Sequence, residues 1–110
     1  MARPRSTVPT GTLTFLFSDI EDSTRLVQEL GAAGYRRLLE QHQRLLRAAF
    51  AAHHGIERST EGDSFFVVFL DAPAAIAAVV EGQRALSAAA WPSNTRVRVR
   101  MGLHVGEVPK

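Results

Sequence analysis

Two aspartates, Asp19 and Asp63, stand where a hydrophobic segment meets a polar turn. The segment FLFSDIEDST leads from apolar residues into Asp19, and TEGDSFFVVF leads from Asp63 into a second apolar run. A fold that pairs the two apolar runs as strands would bring both carboxylates to one edge of a sheet. Magnesium and manganese prefer hard oxygen ligands, and phosphoryl-transfer sites hold them with one or two carboxylates. The pattern therefore indicates a divalent metal site, against the plainer alternative that each aspartate only ends a strand.

The segments that carry the two aspartates have the composition of strands. Residues 13–19, LTFLFSD, combine β-forming and aromatic residues in a short run, which favours a buried strand at the centre of its sheet. Residues 56–59 and 64–70 are two further strand-like runs separated by TEGD, a composition suited to a hairpin. Asp63 is therefore expected at or beside the tip of a hairpin.

Helices are predicted on both sides of this hairpin. Ser23 or Thr24 is expected to begin a helix, because either hydroxyl can accept from the free amides of a first turn. After two glycines, a longer helix with apolar residues at spacings of three and four is expected to run to about Gly55. Residues 72–90 predict an alanine-rich helix with Asp71 as its cap and Pro73 in its first turn.

The last predicted element is a strand over residues 96–105, in which apolar and polar residues alternate. Its arginines, Arg96, Arg98 and Arg100, are expected to form the solvated face of that strand, since no aromatic residues alternate with them to stack on bases. The whole order is strand, helix, helix, strand, strand, helix, strand. It predicts an α+β fold in which helices pack on one face of an antiparallel or mixed sheet.

Composition limits the function classes. The chain has 110 residues, 45% of them hydrophobic, which suits one domain. We expect a flexible lead-in over residues 1–11 and the domain over residues 12–110. Cysteine is absent from the sequence, which excludes disulfides and thiolate chemistry. Without a secretory signal or a membrane-length apolar stretch, a cytoplasmic protein is expected, and the net charge of only +2 gives little support for nucleic-acid binding.

Three segments together resemble the class III nucleotidyl cyclases, the enzymes that make cyclic AMP or cyclic GMP. They are TFLFSDIEDSTRL, TEGDSFFVVF and RVRMGLHVGEV, in the order of that family. Each motif is short, but three in sequence with fitting elements between them make the resemblance specific. It covers nearly the whole chain after Thr10.

The resemblance implies a ferredoxin-like βααββαβ domain that binds a nucleoside triphosphate with two Mg²⁺ or Mn²⁺ ions and forms a cyclic 3′,5′-nucleotide and pyrophosphate. ATP is favoured over GTP as substrate. By position, Asp19 and Asp63 resemble the metal-bridging aspartates, and the backbone carbonyl of Ile20 resembles a further ligand. The positions that resemble substrate-binding residues are Asp22, Ser23, Thr24 and Gly62. Because family sites form between two subunits, a homodimer or a heterodimer with another cyclase-like domain is expected.

Three departures from the family pattern affect these expectations. Ser59 stands at the base-selecting position, where the family has an adenine-selecting lysine. Asp22 stands where glycine is frequent, and places a carboxylate near the expected triphosphate. Further base, ribose and transition-state residues of the family lie C-terminal to the GLHVGE segment. This chain is therefore expected to carry the metal-binding half of a C-terminally incomplete domain and to be nearly inactive alone.

Two other readings compete with a catalytic one. The first is a degenerate cyclase-like module that binds nucleotide, or dimerises, for regulation without turnover, since fold alone does not guarantee activity. The second is an unrelated α+β domain with surface aspartates.

Overall fold

The computed structural model describes residues 11–108, which form four strands, two α-helices and a short 3₁₀ helix. In chain order the elements are β1 (Gly11–Ile20), α1 (Ser23–Ala52), β2 (Ile56–Glu61), β3 (Ser64–Phe69), α2 (Ala72–Ala88), the 3₁₀ helix (Pro92–Asn94) and β4 (Val99–Val108). Every strand pair is antiparallel, in the order β2-β3-β1-β4. The predicted α+β fold is confirmed, and of the predicted lead-in all but Gly11 lies outside the described residues.

β1 is the central strand, as its apolar composition predicted. It pairs with β3 on one side, where Leu16 lies opposite Val67, and with β4 on the other, where Leu16 lies opposite Leu103. A strand with neighbours on both sides satisfies its backbone hydrogen bonds within the sheet, which suits a segment of β-forming residues. The pairing with β1 therefore determines which residues of β3 and β4 lie beside its C-terminal end.

Successive residues of β1 and β3 point to opposite faces of the sheet. The face against which α1 and α2 pack, the helix face, includes Leu16, Val67 and Phe69, all with no exposed surface. The opposite face, the open face, includes Phe17, whose side chain is 52% exposed. Both helices thus cover the same side, as predicted, and leave the other side accessible.

The hydrophobic core lies between the helix face and the two helices. α1 contributes its buried stripe and α2 contributes small residues that allow close packing, and aromatic rings from α1 and β3 meet edge to face. The helix residues of this core are Leu26, Leu38, Leu46, Phe50, Ala75, Ala78 and Leu86.

α1 is continuous in the chain but broken in geometry at Gly31, whose φ of 72° and ψ of 173° are not helical. The two helices predicted before the hairpin correspond to the segments on either side of this glycine. The helix begins at Ser23, within the predicted pair of residues, but the predicted hydroxyl cap is wrong. The N-cap residue is Asp22, and among the described residues its side chain makes no capping hydrogen bond to the first turn.

α2 begins as predicted. Asp71 Oδ1 accepts a hydrogen bond of 2.8 Å from the Ala74 amide, and Pro73 occupies the first turn. The side-chain amide of Gln83 donates to the Val99 carbonyl at 2.9 Å and so ties α2 to the start of β4. Neither α-helix of residues 11–108 has the length and apolar character needed to cross a membrane.

The last strand begins later than predicted. Residues 95–98 are not part of the strand, and the ladder with β1 starts at Val99 rather than at Arg96. Alternation of apolar and polar residues marks an extended chain, and an extended segment does not have to be paired throughout. One bond precedes the ladder, from the Glu21 amide to the Arg98 carbonyl at 2.8 Å.

Candidate metal centre

Asp19 is the last residue but one of β1 and lies on the open face, two positions from Phe17. Its side chain is 43% exposed. The strand therefore presents this carboxylate to solvent at the end of the sheet where α1 begins.

Asp63 reaches the same end of the sheet from the hairpin. The turn between β2 and β3 consists of Gly62 and Asp63 alone, and Gly62 has the positive φ of 57° that such a tight turn needs. Asp63 Oδ2 accepts a hydrogen bond of 3.1 Å from the Ile20 amide. The structure thus brings Asp19, Ile20 and Asp63, the three expected metal ligands, to one place.

α1 holds this turn from the side of the helices. The side-chain amide of Gln43 donates to the Gly62 carbonyl at 3.0 Å. Gly62 was expected to bind substrate. Its carbonyl already accepts a hydrogen bond within the chain. Its amide lies in the turn beside Asp63.

Arg100 is a site residue that the sequence analysis missed. It lies directly opposite Asp19 in the β1–β4 ladder, and its guanidinium donates from Nε to Oδ1 at 2.9 Å and from NH2 to Oδ2 at 3.1 Å. Arg100 is exposed, as expected for a solvated strand face, but its ion pair with Asp19 was not expected. The signal lay in the register, since opposite residues of antiparallel strands share a face, but the pairing of these strands is not local in sequence.

The turn between β1 and α1 is backbone-strained at Asp22, whose φ is 59° and ψ 43°. This left-handed conformation explains why glycine suits the position. The Asp22 carboxylate does not cap α1 but accepts from Arg25 Nε at 2.9 Å, and Arg25 also donates to Glu29. The charge of Asp22 is thus offset by a neighbouring cation, and the first amides of α1 remain available beside the turn.

A shallow cavity of about 550 Å³ opens beside Asp19 on the open face. Asp19 and Arg100 line one side, and Ser59 lines the other. A β-bulge brings Ser59 there: Glu57 lies opposite Val67 and Ser59 opposite Phe66. The residue at the expected base-selecting position therefore lies in the same cavity as the candidate metal ligand.

Aromatic rings form the floor of this cavity. Phe17 and Phe66 stack with centroids 4.8 Å apart and planes inclined by 10°, and Phe15 extends the stack behind Phe66 at 5.9 Å. Phe17 keeps an exposed ring surface in the cavity. The cavity thus combines an apolar floor with the charged side chains of Asp19, Glu61 and Arg100 in its lining.

Two ionisable residues of α1 lie within electrostatic range of Asp63. Burial raises the pKa of Tyr35, and the charge of Asp63 adds to that effect. Burial lowers the pKa of His42 to about 4, while Asp63 and the Leu39 backbone act in the opposite direction. Neither ring nitrogen of His42 makes a hydrogen bond to the described residues. His42 is therefore a neutral core residue at pH 7, a role that the sequence pattern does not indicate.

The oxygen donors suit a hard divalent cation. Two carboxylates and a backbone carbonyl are the ligand types that Mg²⁺ and Mn²⁺ prefer, and the remaining positions at such ions are commonly filled by water or phosphate. That Asp19 holds a guanidinium shows that this end of the sheet attracts positive charge. Within residues 11–108, however, no three His, Cys, Asp or Glu side chains converge as a metal-binding group.

Known sequences resemble this chain over most of its length. The family profile described as "Adenylate and Guanylate cyclase catalytic domain" matches residues 6–109. An adenylate cyclase of Schizosaccharomyces pombe is 34% identical over 98 residues, which cover 89% of this chain and 6% of that protein. An uncharacterized protein of Mycobacterium tuberculosis is 34% identical over 102 residues, covering 91% of this chain and 33% of the relative. The chain thus spans a minor part of these curated relatives.

Solved structures share the fold. An adenylate cyclase from Trypanosoma brucei, described in its monomeric state, superposes with a TM-score of 0.84 at 24% identity over 94% of this chain and 60% of that chain. A guanylyl cyclase domain from Blastocladiella emersonii, described as a non-canonical dimer, gives a TM-score of 0.79 at 18% identity, covering 88% and 58%. At these identities the likeness concerns the fold.

Proposed function

This chain belongs to the family of adenylate and guanylate cyclase catalytic domains, and from that premise we propose that it carries the metal-binding half of a nucleotidyl cyclase site. The proposed reaction converts a nucleoside triphosphate, with ATP preferred over GTP, to a cyclic 3′,5′-nucleotide and pyrophosphate. The observation that supports the proposal most directly is the 3.1 Å hydrogen bond to Asp63 from the amide of Ile20, the residue next to Asp19 in sequence.

Asp19, Asp63 and the carbonyl of Ile20 would hold two Mg²⁺ or Mn²⁺ ions. When bound, such ions lower the pKa of an attacking hydroxyl and offset the charge of a phosphate leaving group. The protein's own contribution is to fix its carboxylates before the ions arrive. Asp63 is oriented by the Ile20 amide and its turn is held by Gln43, so little reorganisation is needed on that side.

The β1–α1 turn would orient the triphosphate. The amides of Ser23 and Thr24 lie in the first turn of α1, where no intrahelical acceptor exists and the helix dipole favours an anion. Asp22 would repel that anion if its charge were free, but Arg25 holds the carboxylate at 2.9 Å. We assign the turn a positioning role for the phosphates and Arg25 a screening role.

The cavity on the open face would receive the base. Phe17 and Phe66 offer a stacking surface, and Ser59 can form one neutral hydrogen bond where a lysine would offer a charged donor. A neutral hydroxyl both donates and accepts, so it discriminates weakly between purines. We therefore expect ATP and GTP to bind with affinities closer to each other than a lysine-bearing site would give.

A single set of measurements tests the proposal. Binding of ATP and GTP to the purified chain is measured by calorimetry with and without Mn²⁺, and turnover is measured for the chain and for a longer form carrying the remainder of a cyclase domain. Metal-dependent binding by both forms, with turnover in the longer form only, is the expected result. If neither form binds nucleotide in the presence of Mn²⁺, the proposal is wrong.

A second function is favoured by Ser59 and by the strained Asp22. In this alternative the domain binds nucleotide, or pairs with another cyclase-like domain, and regulates without turnover. The fold neighbours include domains described as monomeric and as dimeric. Nucleotide binding without turnover in the longer form would select this alternative.

A further inference from the structure

Arg100 occupies both carboxylate oxygens of Asp19. The contact is a fork, with Nε on Oδ1 at 2.9 Å and NH2 on Oδ2 at 3.1 Å. It joins β1 to β4 across 81 residues of sequence, and the two residues are direct partners in the ladder. An oxygen that accepts from a guanidinium has less electron density to offer a metal ion, and the guanidinium also occupies the space beside it.

The surroundings hold the guanidinium in this place. The pKa of Arg100 is raised first by the hydrogen bond with Asp19 and then by the charges of Asp19, Glu21 and Asp63. Glu21 and Asp63 make no hydrogen bond to Arg100 within the described part of the chain. Their negative charges therefore attract the guanidinium by long-range electrostatics alone. Arg100 thus neutralises the carboxylate of Asp19 directly, and the charges of Glu21 and Asp63 add a weaker attraction.

We propose that Arg100 competes with the metal ion for Asp19, so that the fork must open before a divalent cation binds there and its strength sets the metal affinity of the free protein. This inference rests on the proposed function, since it requires a metal ion at Asp19. Arg100 is then a positioning residue: it keeps the carboxylates from repelling one another when no metal ion is bound, and yields to an ion of higher charge.

The consequence is opposite to that of an ordinary supporting residue. Removal of a residue that orients a metal ligand commonly weakens metal binding by about 10- to 100-fold. Removal of a competing cation strengthens it. Because both side chains are substantially exposed, 65% for Arg100 and 43% for Asp19, the gain is modest, and we expect Mn²⁺ to bind between about 2- and 10-fold more tightly to Arg100→Gln.

Two further variants separate the effect of the two-pronged contact from the effect of the positive charge. Arg100→Lys keeps the charge but loses the two-pronged geometry, so it should also bind Mn²⁺ more tightly than the wild type, though less so than Arg100→Gln. Arg84→Gln removes the same charge from an exposed position on α2, and its affinity should stay within about 2-fold of wild type because exposed charges at a distance are screened.

The experiment is a titration of the wild type and the three variants with Mn²⁺ alone, without nucleotide, followed by the electron paramagnetic resonance signal of free Mn²⁺. In parallel, the Arg100 Nε–H resonance of the wild type is followed by nuclear magnetic resonance during titration with Mg²⁺. We expect the affinities to rank Arg100→Gln, Arg100→Lys, then wild type with Arg84→Gln, and the Nε–H resonance to move as Mg²⁺ binds.

The outcomes distinguish the inference from the function on which it rests. Equal or weaker Mn²⁺ binding by Arg100→Gln, or an Nε–H resonance that stays in place while the metal binds, overturns the competition but leaves the metal site. If no form of the protein binds Mn²⁺, both are wrong. Unchanged circular dichroism of the variants would exclude misfolding as the cause of any loss.

Discussion

The two faces of the sheet divide the work of this domain. On the helix face, Leu16 and Phe69 have no exposed surface and pack against both helices. On the open face, Phe17 is half exposed and Asp19 is paired with an arginine that is itself in contact with water. Along β1, residues that face the helices therefore contribute to stability, and the residues between them contribute to the candidate site. Substitutions on the helix face should change the free energy of unfolding, and substitutions on the open face should change ligand binding.

The largest difference is expected between two phenylalanines. Phe69→Ala should lower the free energy of unfolding by about 3–5 kcal/mol because it leaves a cavity in the core. Phe17→Ala removes the same atoms from an exposed position and should cost less than about 1 kcal/mol. Urea unfolding followed by circular dichroism measures both, and similar losses for the two variants would refute the division between the faces.

An effect of pH on stability is expected from His42, on the helix side of the sheet. The folded pKa of His42 is about 4, below its ordinary value of 6.5, so between these values the unfolded chain binds more protons than the folded one. Stability should then fall as pH decreases from about 6.5 to about 4, by up to about 3 kcal/mol. Unfolding free energies at pH 7 and 4.5 measure this loss.

His42→Leu should remove that part of the pH dependence, since leucine can fill a similar buried space without titrating. His54→Gln, at an exposed position after α1, is the matched control and should leave it in place. A His42→Leu variant with the full dependence of the wild type would assign the effect to other groups.

Substitution of Asp19 or Asp63 should have the opposite effect to substitution of Phe69: a large loss of metal affinity and a small loss of stability. Asp19→Ala and Asp63→Ala are each expected to weaken Mn²⁺ binding by at least about 100-fold, near 2.7 kcal/mol, and to abolish metal-dependent turnover of an active longer form. Their unfolding free energies should change by only about 1 kcal/mol, because an exposed ion pair or one hydrogen bond is lost. Calorimetry and urea unfolding give the two quantities, and retained turnover in either variant would contradict the assignment.

Asp71 provides the smallest effect and the control for the aspartates. Asp71→Ala removes the cap of α2 and should cost about 1 kcal/mol of stability while leaving Mn²⁺ affinity unchanged. A parallel loss of metal binding in this variant would show that destabilisation alone, rather than ligand removal, weakens the site.

Most of the fold could be predicted from local patterns. The apolar run before Asp19 is too short and too rich in β-formers for a helix, and Asp71-Ala-Pro73 marks the start of a helix. The TEGD segment predicts a hairpin, although β2 extends through Glu61 and leaves only Gly62 and Asp63 as its turn. These signals act over a few residues, so no knowledge of the tertiary structure is needed. Pairing explains the error at the last strand, because alternation predicts an extended chain and the ladder begins only at Val99.

The site was less predictable because its contacts span the sequence. The juxtaposition of Asp19 and Asp63 could be expected from two strand ends, but the fork between Arg100 and Asp19 depends on the register of strands 81 residues apart. His42 was missed for a different reason. It stands in an apolar helix stripe, and neither ring nitrogen has a hydrogen-bond partner among residues 11–108. The sequence alone does not show that core packing outweighs this cost.

The position of β4 has a consequence for synthesis on the ribosome. β1 emerges before the other described elements, but one of its two neighbours is the strand of residues 99–108. At about 5–20 residues per second, Arg100 follows Asp19 by about 4–16 s. Throughout that interval one edge of β1 has no partner from its own chain, and nascent chains on neighbouring ribosomes could pair with it. Slower translation of the segment before Val99 would lengthen the period in which such mispairing can occur.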